Sequence, residues 1–427
     1  YTEINSRGHL IFDGCDTVEL AKQYGTPLYV ISETAIRSRC RLVKEHFIDK
    51  YDNTLALYAS KALSNLAIYK IIKEEGLGID VVSGGELYTA AKAGFPMDKV
   101  YFHGNNKTEE EIHLGIDNEV GCFVIDNNHE MELLQQVAEK KGKRVKALLR
   151  VAPGVSGHTH EYVTTGLIDS KFGFSVHGNA VTEAVKKIID CKNVRFSGLH
   201  CHIGSQIFST EAYREAVKVL IGLMDNIKQD FGVELEELNI GGGFGAYDIE
   251  TDSYMNIQDF TTVIMKAARE QCDSMNFKLP KVIIEPGRWL VGETGITLYT
   301  IGSIKDIKGI RKYASIDGGM ADNPRHILYQ AAHKAVVANK AKEECTDTVT
   351  IAGRCCETGD ILINDLRVPE LEPGDILAVF GTGAYNYSMA SNYNRLRKPA
   401  MVMVNNGNPR IVVKRQTYED ILRNESF

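Results

Sequence analysis

Short apolar runs rich in β-branched residues recur between residues 55 and 288, and segments with helical periodicity separate them. Strands that alternate with helices indicate parallel βαβ units, and eight such strands predict a closed (β/α)8 TIM-type barrel of about 250 residues. An open doubly wound sheet remains the alternative, because spacing alone does not prove closure. The predicted strands are Leu55–Lys61, Gly78–Ser83, Val100–Asn105, Cys122–Asn127, Lys146–Pro153, Phe196–Gly204, Glu237–Phe244 and Lys281–Arg288. The predicted helices are Glu86–Ala93, Thr108–Gly115, Glu130–Lys141, Ala180–Ile189, Glu211–Gln229 and Ile257–Glu270.

The remainder of the chain predicts a second, all-β domain. From about Thr297 onward one strand follows another, and the opening residues Glu3–Phe12 predict a hairpin. The last two strands straddle Asn405–Asn408, whose sequence is typical of a tight hairpin turn. We therefore expect a barrel domain at residues 34–295, inserted into a β-sandwich or barrel-like domain formed by residues 1–33 and 296–427. Its predicted strands are Thr297–Lys305, Tyr313–Asp317, Thr348–Ala352, Asp375–Phe380, Ala400–Val404 and Arg410–Lys414.

The composition is that of a globular protein with a small-molecule partner. With 427 residues the chain exceeds what one core usually organises, and 44% apolar and 25% charged residues exclude a disordered chain. The net charge of -7, with basic and acidic residues interspersed, argues against nucleic acid, and no apolar run approaches the ~18 residues of a membrane helix. Nine scattered cysteines, an odd number, predict reduced thiols and therefore a cytoplasmic enzyme.

Barrel enzymes place their reactive side chains at the carboxyl ends of the strands. Lys61 closes the first predicted strand, either as a surface lysine or as a partly desolvated amine suited to Schiff-base chemistry. His200 and His202 end the sixth strand on one face and are candidate metal ligands, and His158 and His160 form a second such pair. Buried, hydrogen-bonded histidines are commoner than ligands, so a metal is not favoured.

Strands seven and eight end in residues that suit an anionic, aromatic cofactor. The run Gly241–Gly243 favours a phosphate bound by backbone N–H groups, because a Cβ would keep the anion away from the amides. Extended to Ala246 it also matches G-x-G-x-x-A, but no helix follows, which argues against a dinucleotide. Glu285 and Arg288 form either a structural ion pair or two separate contacts, to a ring nitrogen and to an anion.

A Schiff-base lysine, a histidine, a glycine run and a carboxylate on one barrel face together indicate pyridoxal phosphate. Over nearly its whole length the chain resembles the fold-type III pyridoxal phosphate-dependent decarboxylases, whose fold is a barrel plus a β domain. Its C-terminal motifs are similar to those of the members that decarboxylate diaminopimelate. The motifs that carry the resemblance are Tyr58–Ala62, His202–Gln206, Gly241–Gly245, Glu285–Arg288, Cys356–Asp360, Gly383–Tyr385, Ser388–Asn394, His158–Thr165 and Asp169–Gly173.

The resemblance implies a role for each of these barrel residues. Lys61 would hold pyridoxal 5'-phosphate as a Schiff base, and His202 would stack on its ring. Glu285 would keep the pyridine nitrogen protonated, which makes the ring the electron sink that loss of carbon dioxide requires. The implied contacts of the phosphate or its surroundings are Ser205, Gly241, Gly242, Gly243, Arg288 and Tyr385.

The resemblance also implies a substrate that carries a second amino acid group at its far end. Arg325 and Tyr329 would bind the distal carboxylate and Glu357 the distal ammonium, with Arg288 and Tyr385 also at the substrate. The implied reaction is decarboxylation of meso-2,6-diaminopimelate to L-lysine and carbon dioxide, the last step of lysine biosynthesis.

A thiol and a second subunit complete the implied site. Cys356 is the candidate proton donor, and only the motif distinguishes it from its neighbour Cys355. The resemblance implies a homodimer in which the cysteine loop of each subunit reaches the active site of the other.

Four features depart from the family pattern. Arg354 and His326 stand where proline is usual, Thr358 stands where serine is usual, and the run Arg395–Pro399 lacks the usual proline spacing. None removes a catalytic group, but Arg354 leaves fine specificity open. The alternatives are a related decarboxylase of another basic or carrier-bound amino acid, a non-catalytic cofactor carrier and, from a different class, a metal-dependent barrel hydrolase that uses the four histidines.

Overall fold

The computed structural model describes residues 1–155, 170–249 and 251–426. The chain divides into two compact units, which we call the barrel unit (residues 39–247 and 254–289) and the β unit (residues 1–38, 248–253 and 290–427). The domain limits at 34 and 295 stay predictions beside this division. Within the described ranges, no helix is both long enough and apolar enough to cross a membrane.

Eight parallel strands form the barrel unit and close on themselves. Each strand pairs with the next along the chain, and the eighth pairs with the first, where Ile284 lies opposite Ala56. This ring confirms the predicted (β/α)8 barrel, and the open doubly wound sheet is wrong. The strands are Thr54–Ala59, Gly78–Val81, Val100–Phe102, Cys122–Ile125, Val145–Ala152, Val194–His200, Glu237–Asn239 and Lys281–Ile284, with a short Phe174–Ser175 beside the fifth.

A helix follows each barrel strand. Asn65 caps the first helix and Ser83 the second, while Thr108 and Glu111 form a capping box on the third. The first helix is absent from the sequence prediction, because its isoleucines give it the composition of a strand. The helices are Leu66–Glu74, Gly84–Lys92, Glu109–Asp117, Asn128–Lys140, Ala180–Asp190, Thr210–Phe231, Ile257–Met275 and Arg288–Val291.

Strands from both ends of the chain meet in the large sheet of the β unit. Leu28–Ser32 lies inside it, antiparallel to Gly295–Ile307 and parallel to Ala400–Asn405. The sequence prediction lacks this strand, but its pairing confirms that both termini build one domain. The N-terminal hairpin also forms, because Thr2–Ile4 pairs with Leu10–Phe12. The other strands are Cys15–Asp16, Arg311–Ile316, Ala335–Val337, Asp347–Ala352, Ile361–Val368, Ile376–Phe380 and Asn408–Val413, and two short ones are Tyr247–Asp248 and Ser253–Tyr254. Helices outside the barrel repeats are Thr17–Tyr24, Glu33–Val43, Arg325–Tyr329 and Tyr418–Leu422.

Each unit has an apolar core of its own. In the barrel unit Leu57, Val124 and Leu148 pack together. In the β unit Val30 and Val402 belong to a cluster that joins the N-terminal and C-terminal segments. All nine cysteines are free thiols, in agreement with their odd number.

Candidate active site

Lys61 lies just beyond the first barrel strand. A single 3-10 turn, Ser60–Ala62, carries it, and the Ser60 hydroxyl fixes the turn by donating to Glu86 Oε2 at 2.9 Å. The Lys61 side chain is exposed. The amine is therefore accessible, and the partly desolvated lysine considered from the sequence stays a prediction.

The eighth strand is followed by a buried carboxylate. Glu285 comes directly after Lys281–Ile284, and its Oε1 accepts a hydrogen bond from Asn239 Nδ2 at 2.7 Å. His200 Nε2 lies 3.2 Å from Oε2, and His103 Nε2 lies 3.0 Å from Oε1. Burial alone would raise the pKa of Glu285, but these contacts lower it well below its ordinary value. The carboxylate therefore stays ionised at neutral pH.

The two histidines beside Glu285 are neutral, and His200 Nε2 is the one that donates a hydrogen bond to the carboxylate. Burial lowers the pKa of both, that of His200 to about 4. Their rings meet edge to face, with centroids 4.8 Å apart. A neutral imidazole that offers its Nε2 proton stabilises a carboxylate without adding a second buried charge.

A second buried carboxyl group, Asp80, belongs to the second strand. Burial raises the pKa of Asp80 well above its usual range, the Glu285 carboxylate raises it further, and the Lys61 ammonium lowers it in part. Asp80 Oδ1 makes no hydrogen bond with any described residue. Because two neighbouring carboxyl groups do not both ionise in a buried place, Glu285 carries the charge and Asp80 the proton.

The loop after strand seven orients His202. Gly242 N–H donates to His202 Nδ1 at 3.2 Å, and Gly241 N–H donates to Asn239 Oδ1 at 2.9 Å. Burial lowers the pKa of His202 well below its usual value, so the ring is neutral. Nδ1 is then the acceptor and Nε2 carries the proton. The Gly241 and Gly242 amides, both predicted to bind phosphate, thus already have acceptors within the protein. The Gly243 N–H, the third predicted phosphate donor, takes part in neither of these bonds.

The glycine run is needed for close packing of the barrel loops. A Cβ on Gly242 would lie 2.0 Å from the backbone oxygen of Glu285, and one on Gly243 would lie 2.1 Å from that of Gly204. Gly241 and Gly243 also have φ values of 71° and 93°, a left-handed region that favours glycine. The physical reason differs from the predicted one, because backbone atoms already fill the space that a Cβ would take.

Replacing Gly242 with alanine is expected to destabilise the barrel by about 1–3 kcal/mol or more, because the new methyl group has no room. The measurement is the free energy of unfolding in urea. The matched control is Gly222→Ala in the helix Thr210–Phe231, where a Cβ would lie 3.9 Å from its nearest neighbour. Alanine is the better helix former, so this control should be neutral or stabilising. A Gly242→Ala variant as stable as the parent would contradict the packing argument.

Arg288 and Ser205 form the cationic part of the barrel site. Arg288 Nη2 donates to Ser205 Oγ at 3.4 Å, and both residues are half-buried. A planar guanidinium beside a hydroxyl group suits an anion with several oxygens.

The other predicted site residues belong to the β unit. Arg325 and Tyr329 begin and end a five-residue helix, and both are half-buried. A Cβ on Gly359 would lie 3.1 Å from Ile327 of this helix, so the helix packs on the loop that follows Cys356. Tyr385 has a φ of 61°, which is uncommon for a bulky residue and marks a constrained loop.

Burial distinguishes the two adjacent cysteines. Cys355 is buried, which raises the pKa of its thiol to about 11. Cys356 is exposed, and its backbone N–H donates to Asn394 Oδ1 at 2.7 Å. The exposed Glu357 accepts from the Tyr393 hydroxyl at 3.4 Å. Cys356 and Glu357 are therefore accessible on a loop whose backbone is fixed.

Asp360, to which the sequence analysis gave no role, holds these segments of the β unit together. Its buried carboxylate accepts from the N–H groups of Met320 at 2.7 Å and Cys355 at 2.8 Å. A Cβ on Gly353 would lie 2.1 Å from one carboxylate oxygen. Asp360 thus positions both the loop before Arg325 and the cysteine loop. The signal in the sequence is an acidic residue directly before an apolar run.

Comparison with known proteins agrees with this geometry. Residues 33–292 match the family described as pyridoxal-dependent decarboxylase, pyridoxal binding domain. This chain belongs to the pyridoxal-dependent decarboxylases. Over 419 residues it is 46% identical to the diaminopimelate decarboxylase of Bacillus subtilis (strain 168), which covers 98% of this chain and 95% of that protein.

Two further relatives extend over the whole of this pyridoxal-dependent decarboxylase. The diaminopimelate decarboxylase of Staphylococcus aureus (strain COL) is 43% identical, with 99% of each chain covered. The crystal structure of diaminopimelate decarboxylase from M. jannaschii in complex with L-lysine has a TM-score of 0.92 at 34% identity, and covers 100% of this chain and 98% of that one. The similarity to these relatives therefore extends over the residues of both units.

The barrel residues fit a pyridoxal phosphate cofactor. An ionised Glu285 suits a protonated ring nitrogen, and Asp80 Oδ1, unpartnered among the described residues, adds a polar group near it. Arg288 with Ser205 suits the phosphate, and the exposed Lys61 supplies an accessible amine.

Membership of the pyridoxal-dependent decarboxylases argues against the metal-dependent barrel hydrolase considered from the sequence. His158 and His160 lie outside the described residues. Among the described residues, His103, His200 and Glu285 form a group whose potential ligand atoms lie within 4.8 Å of one another. His202 is not a member of this group. His200 and His202, the two metal ligands considered at the end of strand six, therefore do not belong to one potential metal site among the described residues.

Proposed function

We propose that this chain decarboxylates meso-2,6-diaminopimelate to L-lysine and carbon dioxide with pyridoxal 5'-phosphate as its cofactor. The observation that carries the proposal is the similarity to diaminopimelate decarboxylases over 98% of the chain. The barrel geometry supports the chemistry, because an ionised Glu285 is held among hydrogen-bond donors and an accessible Lys61 amine follows the first strand.

Bound pyridoxal phosphate supplies the sink for the electrons that remain when carbon dioxide leaves. We assign Lys61 as the residue that holds the cofactor covalently and Glu285 as the carboxylate that keeps a proton on the ring nitrogen. His202 is assigned to the face of the ring, because the Gly242 amide fixes its Nδ1 and so its plane. The assigned phosphate contacts are Ser205, Gly243, Arg288 and Tyr385.

Charge supports the choice of substrate. Diaminopimelate ends in a second amino acid group, so the site must offer a cation to the distal carboxylate and an anion to the distal ammonium. We assign Arg325 with Tyr329 to the carboxylate and the exposed Glu357 to the ammonium. A decarboxylase of ornithine needs only an acidic residue at that end, so Arg325 is the discriminating residue.

We also infer a homodimer with shared active sites. Cys356 is exposed on a loop fixed by Asn394, which suits a thiol that acts outside its own unit. In this proposal the cysteine loop of each subunit serves the site of the other. Cys356 then delivers the proton that takes the place of the lost carboxylate, so one carbon dioxide leaves for each proton added.

Product analysis on the separate diaminopimelate stereoisomers tests the function. With purified protein and added pyridoxal phosphate, we expect equimolar carbon dioxide and lysine from the meso isomer and little from the LL isomer. Turnover of ornithine or of a carrier-bound amino acid in its place would contradict the substrate. A protein that binds the cofactor fully but turns over none of these compounds would be a non-catalytic carrier.

A further inference from the structure

Two of the departures from the family pattern meet at one place in the β unit. Arg354, in the cysteine loop, and all of the run Arg395–Pro399 except Lys398 line the same cavity of about 280 Å³. Arg415, from the last strand region, and Tyr418 complete its wall. Residues that stand apart in the sequence thus contribute four arginine side chains to one small space.

The cavity carries an excess of positive charge, with four arginines and two aspartates in its wall. Arg395 is paired with Glu425 at 2.9 Å, but the other three arginines form no ion pair with any described residue. Arg397 and Arg415 line the same cavity, and the pKa of Arg415 is lowered by burial and by the charge of Arg397, an effect that Asp317 and Asp322 oppose. Like charges held together are unfavourable unless an anion binds between them.

The two aspartates of the cavity wall, Asp317 and Asp322, both act on Arg415 and offset only part of this charge. Asp317 accepts from the Thr26 hydroxyl at 2.6 Å and from the Thr300 N–H at 2.9 Å. Asp322 accepts from the Tyr299 hydroxyl at 2.6 Å, and burial raises its pKa to about 7. Both carboxyl groups accept hydrogen bonds from neutral donors, and Asp322 is only partly ionised at neutral pH, so the arginines remain in excess.

Two of the arginines are held in place by their neighbours. Arg415 Nη2 lies within hydrogen-bond distance of the carbonyl oxygens of Gly25 and Pro27, at 3.0 and 2.8 Å. The Arg397 guanidinium lies over the Tyr418 ring, 4.8 Å from its centroid. Side chains that are already ordered lose little entropy on binding, which favours ligand affinity.

We propose that this cavity is a binding site for a compact polyanion with two or more carboxylate or phosphoryl groups. Planar guanidinium forks match the oxygens of both kinds of group, and three unpaired arginines exceed what one carboxylate satisfies. The volume suits a small molecule rather than a polymer. The site lies in the β unit and does not depend on the proposed decarboxylase activity.

The ligand would touch the segment that carries Cys356. Arg354 belongs to that loop, and its backbone N–H donates to the Gly318 oxygen at 2.9 Å. Asn394 also lines the cavity, and its Oδ1 accepts from the Cys356 N–H. Two residues of the cavity wall, Arg354 and Asn394, therefore also hold the cysteine loop.

Calorimetric titration of the full-length protein loaded with pyridoxal phosphate tests the site. Pyrophosphate and citrate are the two probes, because they separate phosphoryl from carboxylate chemistry, and chloride keeps the ionic strength equal. We expect saturable binding of at least one probe, weakened roughly 10-fold or more in Arg397→Gln and in Arg354→Gln. Both side chains are exposed, so these variants should fold.

Arg311→Gln is the matched control. Arg311 is exposed and lies over the Tyr313 ring at 5.7 Å, much as Arg397 lies over a tyrosine, but it does not line the cavity. Its loss should leave the affinity unchanged. No saturable binding of either probe, or equal affinity in the parent and in Arg397→Gln, would overturn the proposal, since the anion would then bind elsewhere or not at all.

Discussion

A Lys61→Ala variant is expected to lose turnover of meso-diaminopimelate, with kcat lower by roughly 1,000-fold or more. Lys61 lies directly after the first barrel strand, and its exposed side chain carries the amine that we propose holds the cofactor. No other residue of the turn Ser60–Ala62 carries an amine. Carbon dioxide release gives kcat, and circular dichroism checks that the barrel remains folded.

Lys70→Ala is the control for this prediction. Lys70 is an exposed lysine on the helix that follows, where it lies 3.9 Å from Glu74. Its removal should leave kcat within about twofold, because a surface ion pair contributes little. If Lys61→Ala kept more than a few per cent of the parent kcat, Lys61 would not hold the cofactor.

The same variant tests the shared sites of the inferred homodimer. Lys61→Ala and Cys356→Ala subunits should each be inactive alone. If each site takes its lysine from one subunit and its cysteine from the other, random mixing restores one intact site in half of the dimers, or about a quarter of the parent activity. Gel filtration and mass analysis show whether mixed dimers have formed. If they have formed and activity is not restored, each site takes its lysine and its cysteine from the same subunit.

Glu285→Gln is expected to lower kcat by roughly 100- to 1,000-fold while the cofactor stays bound. Glutamine keeps the shape and can still accept from Asn239, but it carries no negative charge to stabilise a protonated ring nitrogen. Single-turnover kinetics with the meso isomer would separate the chemical step from substrate binding. A kcat equal to that of the parent would remove Glu285 from the reaction.

Glu237→Gln is the matched control for the loss of a buried charge. Glu237 is also buried and begins the seventh strand, where it accepts from the Tyr101 hydroxyl at 2.9 Å and pairs with Lys146 at 3.0 Å. This variant should lose stability but keep its kcat at temperatures where it is folded.

The acid range offers a second readout of Glu285→Gln. The pKa of Glu285 is lowered on folding, so the stability it provides is complete above about pH 4.5 and is lost as the pH falls through the lower folded-state value. The parent should therefore lose unfolding free energy below pH 4.5 more steeply than Glu285→Gln does. Parallel curves would mean that folding leaves the pKa of this carboxyl unchanged.

Most of the barrel could be predicted from the sequence, because βαβ periodicity is a local signal. Every predicted barrel strand is present, but several end earlier than predicted. The seventh ends at Asn239 rather than Phe244, because Ile240 and the glycines continue the apolar pattern while their backbone forms a loop. The rule that reactive groups follow the strands then singled out Lys61 and Glu285 as candidates, and their roles stay predictions.

The residues around Glu285 could not be found in this way. Asp80 and Asn239 lie in two other strands and His103 directly follows a third, and their importance depends on burial and on proximity to one carboxylate. No local spacing relates them. The same limit applies in the β unit, where Leu28–Ser32 is a short apolar segment whose partners are hundreds of residues away.

The position of Leu28–Ser32 also sets an order of events during protein synthesis. Leu28 pairs with Ala400, which is translated tens of seconds later at roughly 5–20 residues per second. The barrel strands are all synthesised within that interval, whereas Leu28–Ser32 has no permanent partner on one of its edges until Ala400–Asn405 has been made. An apolar strand with an open edge is prone to pair wrongly. We therefore expect the nascent chain to need protection of the segment Leu28–Ser32 until Ala400–Asn405 emerges.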